Sequence, residues 1–237
     1  MIGVLVPRLT DVVLATIYEG IDAAASTAGY SSFVANTGDD LQVQRRADAL
    51  LARRVDGLIL GDARTDSTLA AELRSRGVDV VLVSRRLRGF VSLTTHDPHG
   101  GRLAAEHLLA LGPRHLGVVA GRPYTSTGIE RTRGFLDACV EAGVRVPDRN
   151  VVWSGFDVAA GRSAAEHLLK LRPQPTAIFA VNDFTAVGAM GAARDRGMTV
   201  WADVALVGYN DVPLAAELPI SLTSVHAPIF RGLLTFP

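Results

Sequence analysis

The chain has 237 residues, 48% of them apolar, which is enough to bury one sizeable core or two modest ones. Its 24 basic residues balance 24 acidic ones, so the formal net charge is zero and no long charge run supplies the footprint that binding to nucleic-acid phosphates needs. Its single cysteine, Cys139, excludes an intrachain disulfide and reads as a small buried helix residue.

In chain order, Met-Ile-Gly-Val-Leu-Val-Pro opens with a strand at 2–6. It lacks the basic region and longer apolar stretch of a secretory signal, and no apolar run is long enough to span a bilayer, so a cytoplasmic location is expected. Asp11 suits the N-cap of a helix running to about Ala28, with Gly29 as its stop signal, and Asp39 or Asp40 can open the next helix. Further short apolar runs bounded by Gly, Asp or Pro predict strands at 32–35, 57–60, 78–83, 90–94, 116–120, 151–153, 177–181 and 204–207. Segments of helical period fill most of the gaps, and Gly77, Gly143 and Gly197 fall just past the ends of later helices. This alternation predicts α/β architecture with parallel sheets.

One stretch recurs. Gly101-Arg-Leu-Ala-Ala-Glu-His-Leu-Leu109 returns as Gly161-Arg-Ser-Ala-Ala-Glu-His-Leu-Leu169, each followed by a Pro and an apolar strand. Without a third copy this is no solenoid; it reads as two helix–strand units under the same packing demands. The strand series exceeds one ordinary doubly wound sheet, so two parallel-sheet lobes with a ligand cleft between them are expected. Ligands of open α/β sheets bind beyond the carboxyl ends of the strands, which directs attention to the loops that follow them.

Five segments stand in a recognisable order: Gly100-Gly-Arg-Leu-Ala-Ala-Glu-His-Leu-Leu-Ala-Leu-Gly112, Glu130-Arg-Thr-Arg-Gly-Phe135, Ala180-Val-Asn-Asp-Phe-Thr-Ala-Val-Gly-Ala-Met190, Val207-Gly-Tyr-Asn-Asp211 and Leu222-Thr-Ser-Val225. Together they resemble the effector-binding domain of the lac/gal repressor (LacI/GalR) family, a branch of the periplasmic-binding-protein-like type I fold. The resemblance implies a first lobe of residues 1–111, joined by 226–237 crossing back, and a second lobe of 112–225. It also implies a helix-turn-helix upstream of this chain as the contact with operator DNA, closing elements beyond residue 237, and a homodimer that transmits effector binding allosterically.

The resemblance implies specific ligand contacts. Arg131 aligns with an arginine that grips the effector; an Arg at a helix start opposes the helix dipole, so something other than the helix should stabilise it, although a surface Arg is the alternative. Asn182 is assigned to the ligand and Asp183 to structure, since capping alone explains only one of them. Asn210 stands where the family often places an Asp. Phe156 occupies the place of an aromatic that stacks on sugars, with a core Phe as the competing reading. Asp97, His99, Thr127 and Arg85 are further candidate contacts, and Asp11 either caps its helix or meets the ligand. His96-Asp97-Pro98-His99 superficially suggests a metal site, but no second cluster accompanies it, so neither metal nor cofactor is expected.

The small molecule implied is a sugar or related polyol, with a nucleoside as the alternative. No nucleophile elbow, Walker A loop, dinucleotide glycine fingerprint or His-Glu-x-x-His is present, so no enzyme is expected. The competing function is a periplasmic-type solute-binding protein for sugar uptake, which shares the fold. The absent export signal and the motifs around Asn182 and Val207 count against it.

Overall fold

The computed structural model describes residues 1–38, 43–112 and 115–228; the expected helix opening at Asp39 or Asp40 lies outside the described residues. Two compact units, Met1–Thr95 and His96–Ala227, carry one five-stranded sheet each.

In the first unit, β1 (Ile2–Val6), β2 (Ser32–Asn36), β3 (Gly57–Leu60), β4 (Asp79–Val83) and β5 (Val91–Leu93) run parallel in the order β2-β1-β3-β4-β5. Helices α1 (Val12–Thr27), α2 (Val43–Leu51) and α3 (Leu69–Ser75) connect them. Asp11 caps α1 by accepting the Val13 N–H at 3.0 Å, and Gly29 follows the helix at φ +78, a left-handed conformation that a residue without Cβ adopts freely. Leu5, Leu58, Leu60, Leu73 and Leu82 form the centre of its core.

The second unit contains α4 (Asp97–Ala110), β6 (Leu116–Ala120), α5 (Ser126–Glu141), β7 (Val151–Trp153), α6 (Val158–Leu168), β8 (Ala177–Ala180), α7 (Asp183–Arg194), β9 (Ala205–Asn210), α8 (Pro213–Glu217) and β10 (Thr223–His226). Its strands are parallel in the order β10-β9-β8-β6-β7. Every residue of β6 and β8 is buried, as expected of central strands covered on both faces, and the ring of Phe179 on β8 stacks on that of Phe135 from α5 with centroids 4.9 Å apart.

All nine expected strands are present, and the structure adds β10. The run Thr-Ser-Val-His lacks the apolar density that marks a buried strand because β10 lies at the sheet edge, with its residues half-buried or exposed. The boundary between units also differs from expectation, lying at Thr95 rather than at residue 111. The physical reason is the crossing of α4 and α5: a Cβ on Gly101 would collide with the Arg131 carbonyl oxygen, and one on Gly134 with that of Pro98. This backbone-to-backbone approach ties α4 to the second sheet. His226, expected to begin the return to the first lobe, is the last residue of β10 in register with Asn210; residues 229–237 lie outside the described residues.

Candidate binding site at the carboxyl edge of the second sheet

The strand order of the second sheet reverses between neighbours β6 and β8, and this switch point is where an open α/β sheet leaves a crevice beyond its carboxyl ends. The chain leaves β6 through Gly121 and β8 through Val181 and Asn182. Arg131, in the second turn of α5, reaches this edge and is only 5% exposed. A buried guanidinium needs compensation, and three groups provide it. Its Nε donates to Asp97 Oδ1 at 2.8 Å, its Nη1 donates to the Val181 carbonyl at 2.8 Å, and its plane lies 3.7 Å from the centroid of the Tyr209 ring. Asp97, 1% exposed in the first turn of α4, is the stabilising partner that the unfavourable position of Arg131 near a helix start demanded. Nη2 makes no hydrogen bond among the described residues, so one donor end of the fork is unspent.

Asn182 is the N-cap of α7 in a capping box. Its Oδ1 accepts from the Thr185 N–H at 2.8 Å, and its Nδ2 donates to the Phe156 carbonyl at 2.8 Å. Its side chain is therefore largely committed to holding the β8–α7 turn against the loop after β7. Both carboxylate oxygens of Asp183 are engaged within the chain: Oδ1 accepts from the Ser224 hydroxyl at 2.5 Å and Oδ2 from the Val212 N–H at 2.9 Å. Burial pushes its carboxyl above the usual carboxylate range, against the opposing pull of those two hydrogen bonds.

Asn210 ends β9 at φ +103, is 4% exposed, and its Oδ1 has no hydrogen-bond partner among the described residues. Buried amide oxygens ordinarily accept a hydrogen bond, so this one, at the carboxyl end of β9, is open to a donor from outside the chain. The Phe156 ring is half-buried, with its tip against Gly121, where a Cβ would strike it.

The other expected contacts fall into three groups. Thr127 is buried in the first turn of α5, close in sequence to Arg131. His99 is exposed, with its ring edge-on to His96, whose Nδ1 accepts the His99 N–H at 3.2 Å and so caps α4. Asp11 and Arg85 belong to the first unit: Asp11 caps α1, and Arg85 is buried with its Nη1 on the Ser84 carbonyl at 2.7 Å. No group of three or more metal-ligating side chains comes together among the described residues. Sequence reasoning passed over Tyr209 and Ser224. Tyr209 lies within a quoted motif, but nothing in its spacing reveals that its ring supports Arg131 or that its hydroxyl fills the space a Cβ on Gly100 would need.

Residues 1–225 match the family described as periplasmic binding proteins and sugar binding domain of LacI family. The chain is 31% identical over 232 residues to the HTH-type transcriptional repressor PurR of Klebsiella pneumoniae subsp. pneumoniae, an alignment covering 96% of this chain and 68% of that protein. Among solved structures it is similar to a LacI family transcriptional regulator from Mycobacterium smegmatis (29% identity, TM-score 0.90, covering 99% of this chain and 87% of that one). It is also similar to a LacI family regulator from Lactobacillus casei with bound glucose (29% identity, TM-score 0.82, covering 98% and 88%). All three relatives are regulators rather than enzymes.

Proposed function

Since the chain belongs to the LacI/GalR family of transcription regulators, as the effector-sensing domain of a repressor, we propose that its effector is a neutral polyhydroxylated molecule, a sugar or related polyol, held at the carboxyl edge of the second sheet. The observation that carries this reading is the pairing of one unspent donor with one unspent acceptor: Arg131 Nη2 and the Asn210 amide oxygen. A hydroxyl group can accept from the first and donate to the second. A phosphate or carboxylate offers acceptors only; it would leave the Asn210 oxygen unpaired and would meet an arginine whose charge Asp97 already balances.

Phe156 supplies an apolar surface for the C–H face of a sugar ring, and Thr127 a hydroxyl beside Arg131. Asp97 acts through Arg131. His99 is an outer contact of this edge, while Arg85 and Asp11 belong to the first unit, where the Asp11 carboxylate caps α1. Ligand occupancy is linked to DNA binding by a helix-turn-helix segment, of the kind for which the HTH-type relatives are named, within a cytoplasmic homodimer.

A thermal-shift screen with D-glucose, D-ribose, cellobiose, adenosine and glucose 6-phosphate tests the reading. A neutral sugar should raise the melting temperature with dose, and the sugar phosphate should not. Charge-assisted hydrogen bonds contribute about 1.5–3 kcal/mol each, so Arg131→Ala should weaken the neutral hit by roughly tenfold or more in calorimetry. Unchanged affinity would remove Arg131 from the site, and a response to the phosphate alone would replace the neutral class by an anionic one.

A further inference from the structure

Two successive non-glycine residues at the end of β9 lie in the left-handed region, Asn210 at φ +103 and Asp211 at φ +56. Such conformations persist where their surroundings over-determine them, and here the surroundings are one small polar cluster. The Ser224 hydroxyl, from β10, donates to Asp183 Oδ1 at 2.5 Å and accepts the Asp211 N–H at 3.0 Å. Asp183 Oδ2 accepts the next backbone donor, Val212 N–H, at 2.9 Å. Asp211 Oδ2 is in turn 3.0 Å from His226 Nδ1, and Gly208 leaves the space in which Asp183 Oδ1 sits. Two consecutive backbone N–H groups, those of Asp211 and Val212, are thereby pinned from outside the turn, on either side of the Asp211 Cα. An Asn in a turn ordinarily bonds its own neighbouring backbone; the Asn210 Oδ1 is buried and has no partner among the described residues.

We propose that Asp183 and Ser224 are positioning residues of the binding site: they clamp the Asn210–Asp211 turn so that the Asn210 amide oxygen is kept unpaired for a hydroxyl donor on the effector. The proposal rests on the reading that the effector binds at this edge. It adds that the donor requirement is imposed by a residue held under strain, and that the strain is borne by α7 and β10.

The decisive measurement is a double-mutant cycle on the whole chain without ligand. Asn210→Gly removes both the left-handed penalty and the unpaired oxygen, so it should raise the melting temperature by about 2–4 °C. Ser224→Ala breaks the clamp while preserving strand shape and should lower the melting temperature by about 3–6 °C in the native background. In the N210G background it should lower it by at most about half as much, because the turn then no longer needs holding. Ser224→Thr, which keeps the hydroxyl, should restore most of the loss. Additive effects, or a destabilising N210G, would overturn the proposal. Titration with D-glucose, D-ribose and cellobiose forms the second arm: S224A should weaken the neutral sugar that binds by roughly tenfold and S224T should recover it. Equal affinity in S224A would reduce the cluster to a structural device. Failure of all three sugars would count against the effector reading, while the cycle would still decide whether the clamp exists.

Discussion

Arg131 and Asp183 are both buried ionisable residues, yet their environments are opposite. Arg131 has a counter-charge in Asp97, a carbonyl and an aromatic face. Asp183 has hydrogen bonds but no cation, so burial outweighs them and its carboxyl is raised. A raised acid binds its proton more tightly in the folded than in the unfolded chain. The stability this contributes is fully present below the ordinary carboxylate range and is lost as pH rises through the raised value. Asp183→Asn carries no titrating group, so the stability of the native protein relative to D183N should fall as pH goes from about 4 to 7, a trend that urea midpoints at several pH values would show. A flat difference would mean that the carboxyl is not raised. Cys139 shows the same desolvation: burial pushes its thiol up to about 11, as befits the small buried helix residue that its sequence context indicated. Much at this scale was legible in the sequence, including the need of Arg131 for an external partner and the departure at Asn210. The identity of that partner was not, because an ion pair spanning from α4 to α5 has no local signature.

The repeated segment acquires its meaning at the level of helices. In α4 the recurring glycine is Gly101, which meets the Arg131 carbonyl, while Gly134 of α5 meets that of Pro98; in α6 it is Gly161, which meets the Thr185 carbonyl, while Gly188 of α7 meets that of Val158. The arginine after each glycine reaches an acid near the far end of the partner helix, Arg102 to Glu141 and Arg162 to Asp195. One crossing geometry is thus used twice, and both crossings carry site residues at their helix starts, Arg131 in one and Asn182 in the other. Gly→Ala in a helix ordinarily stabilises by up to about 1 kcal/mol, but at Gly101 the added methyl meets backbone that cannot yield. Gly101→Ala should therefore lower unfolding free energy by about 1–3 kcal/mol, whereas Gly191→Ala, whose methyl would meet only the flexible end of Arg162, should be neutral or stabilising. Equal effects in denaturant titrations would refute the close crossings. The repeat was visible as a packing demand, and apolar runs located the buried strands. The affiliation of α4 was misread, since its own periodicity is the same whichever sheet it covers, and β10 was missed because an edge strand needs no apolar run.

The two sheets share one plan when each is numbered from its own first strand: the order is 2-1-3-4-5 in both, with the switch point between the first strand and the third. Alternation of strand and helix made the doubly wound class legible, whereas the grouping of strands into sheets depends on contacts between residues far apart in sequence. Charge is a property of the whole chain too, and it bears on how a repressor's work is divided. Binding to duplex DNA draws on counterion release by clustered Lys and Arg, and here basic and acidic residues cancel at 24 each, with Arg102, Arg133 and Arg162 paired with carboxylates on the same or a neighbouring helix. The balance leaves no net positive field to attract phosphates, and the match covers 68% of the length of the PurR relative. In fluorescence anisotropy with a labelled duplex of about 30 base pairs at about 0.15 M salt, this chain alone should show no saturable binding at micromolar concentration, with or without a sugar. Binding whose affinity fell steeply with salt would reveal a basic face on one of the two units and would make the sensor itself part of the DNA-reading surface.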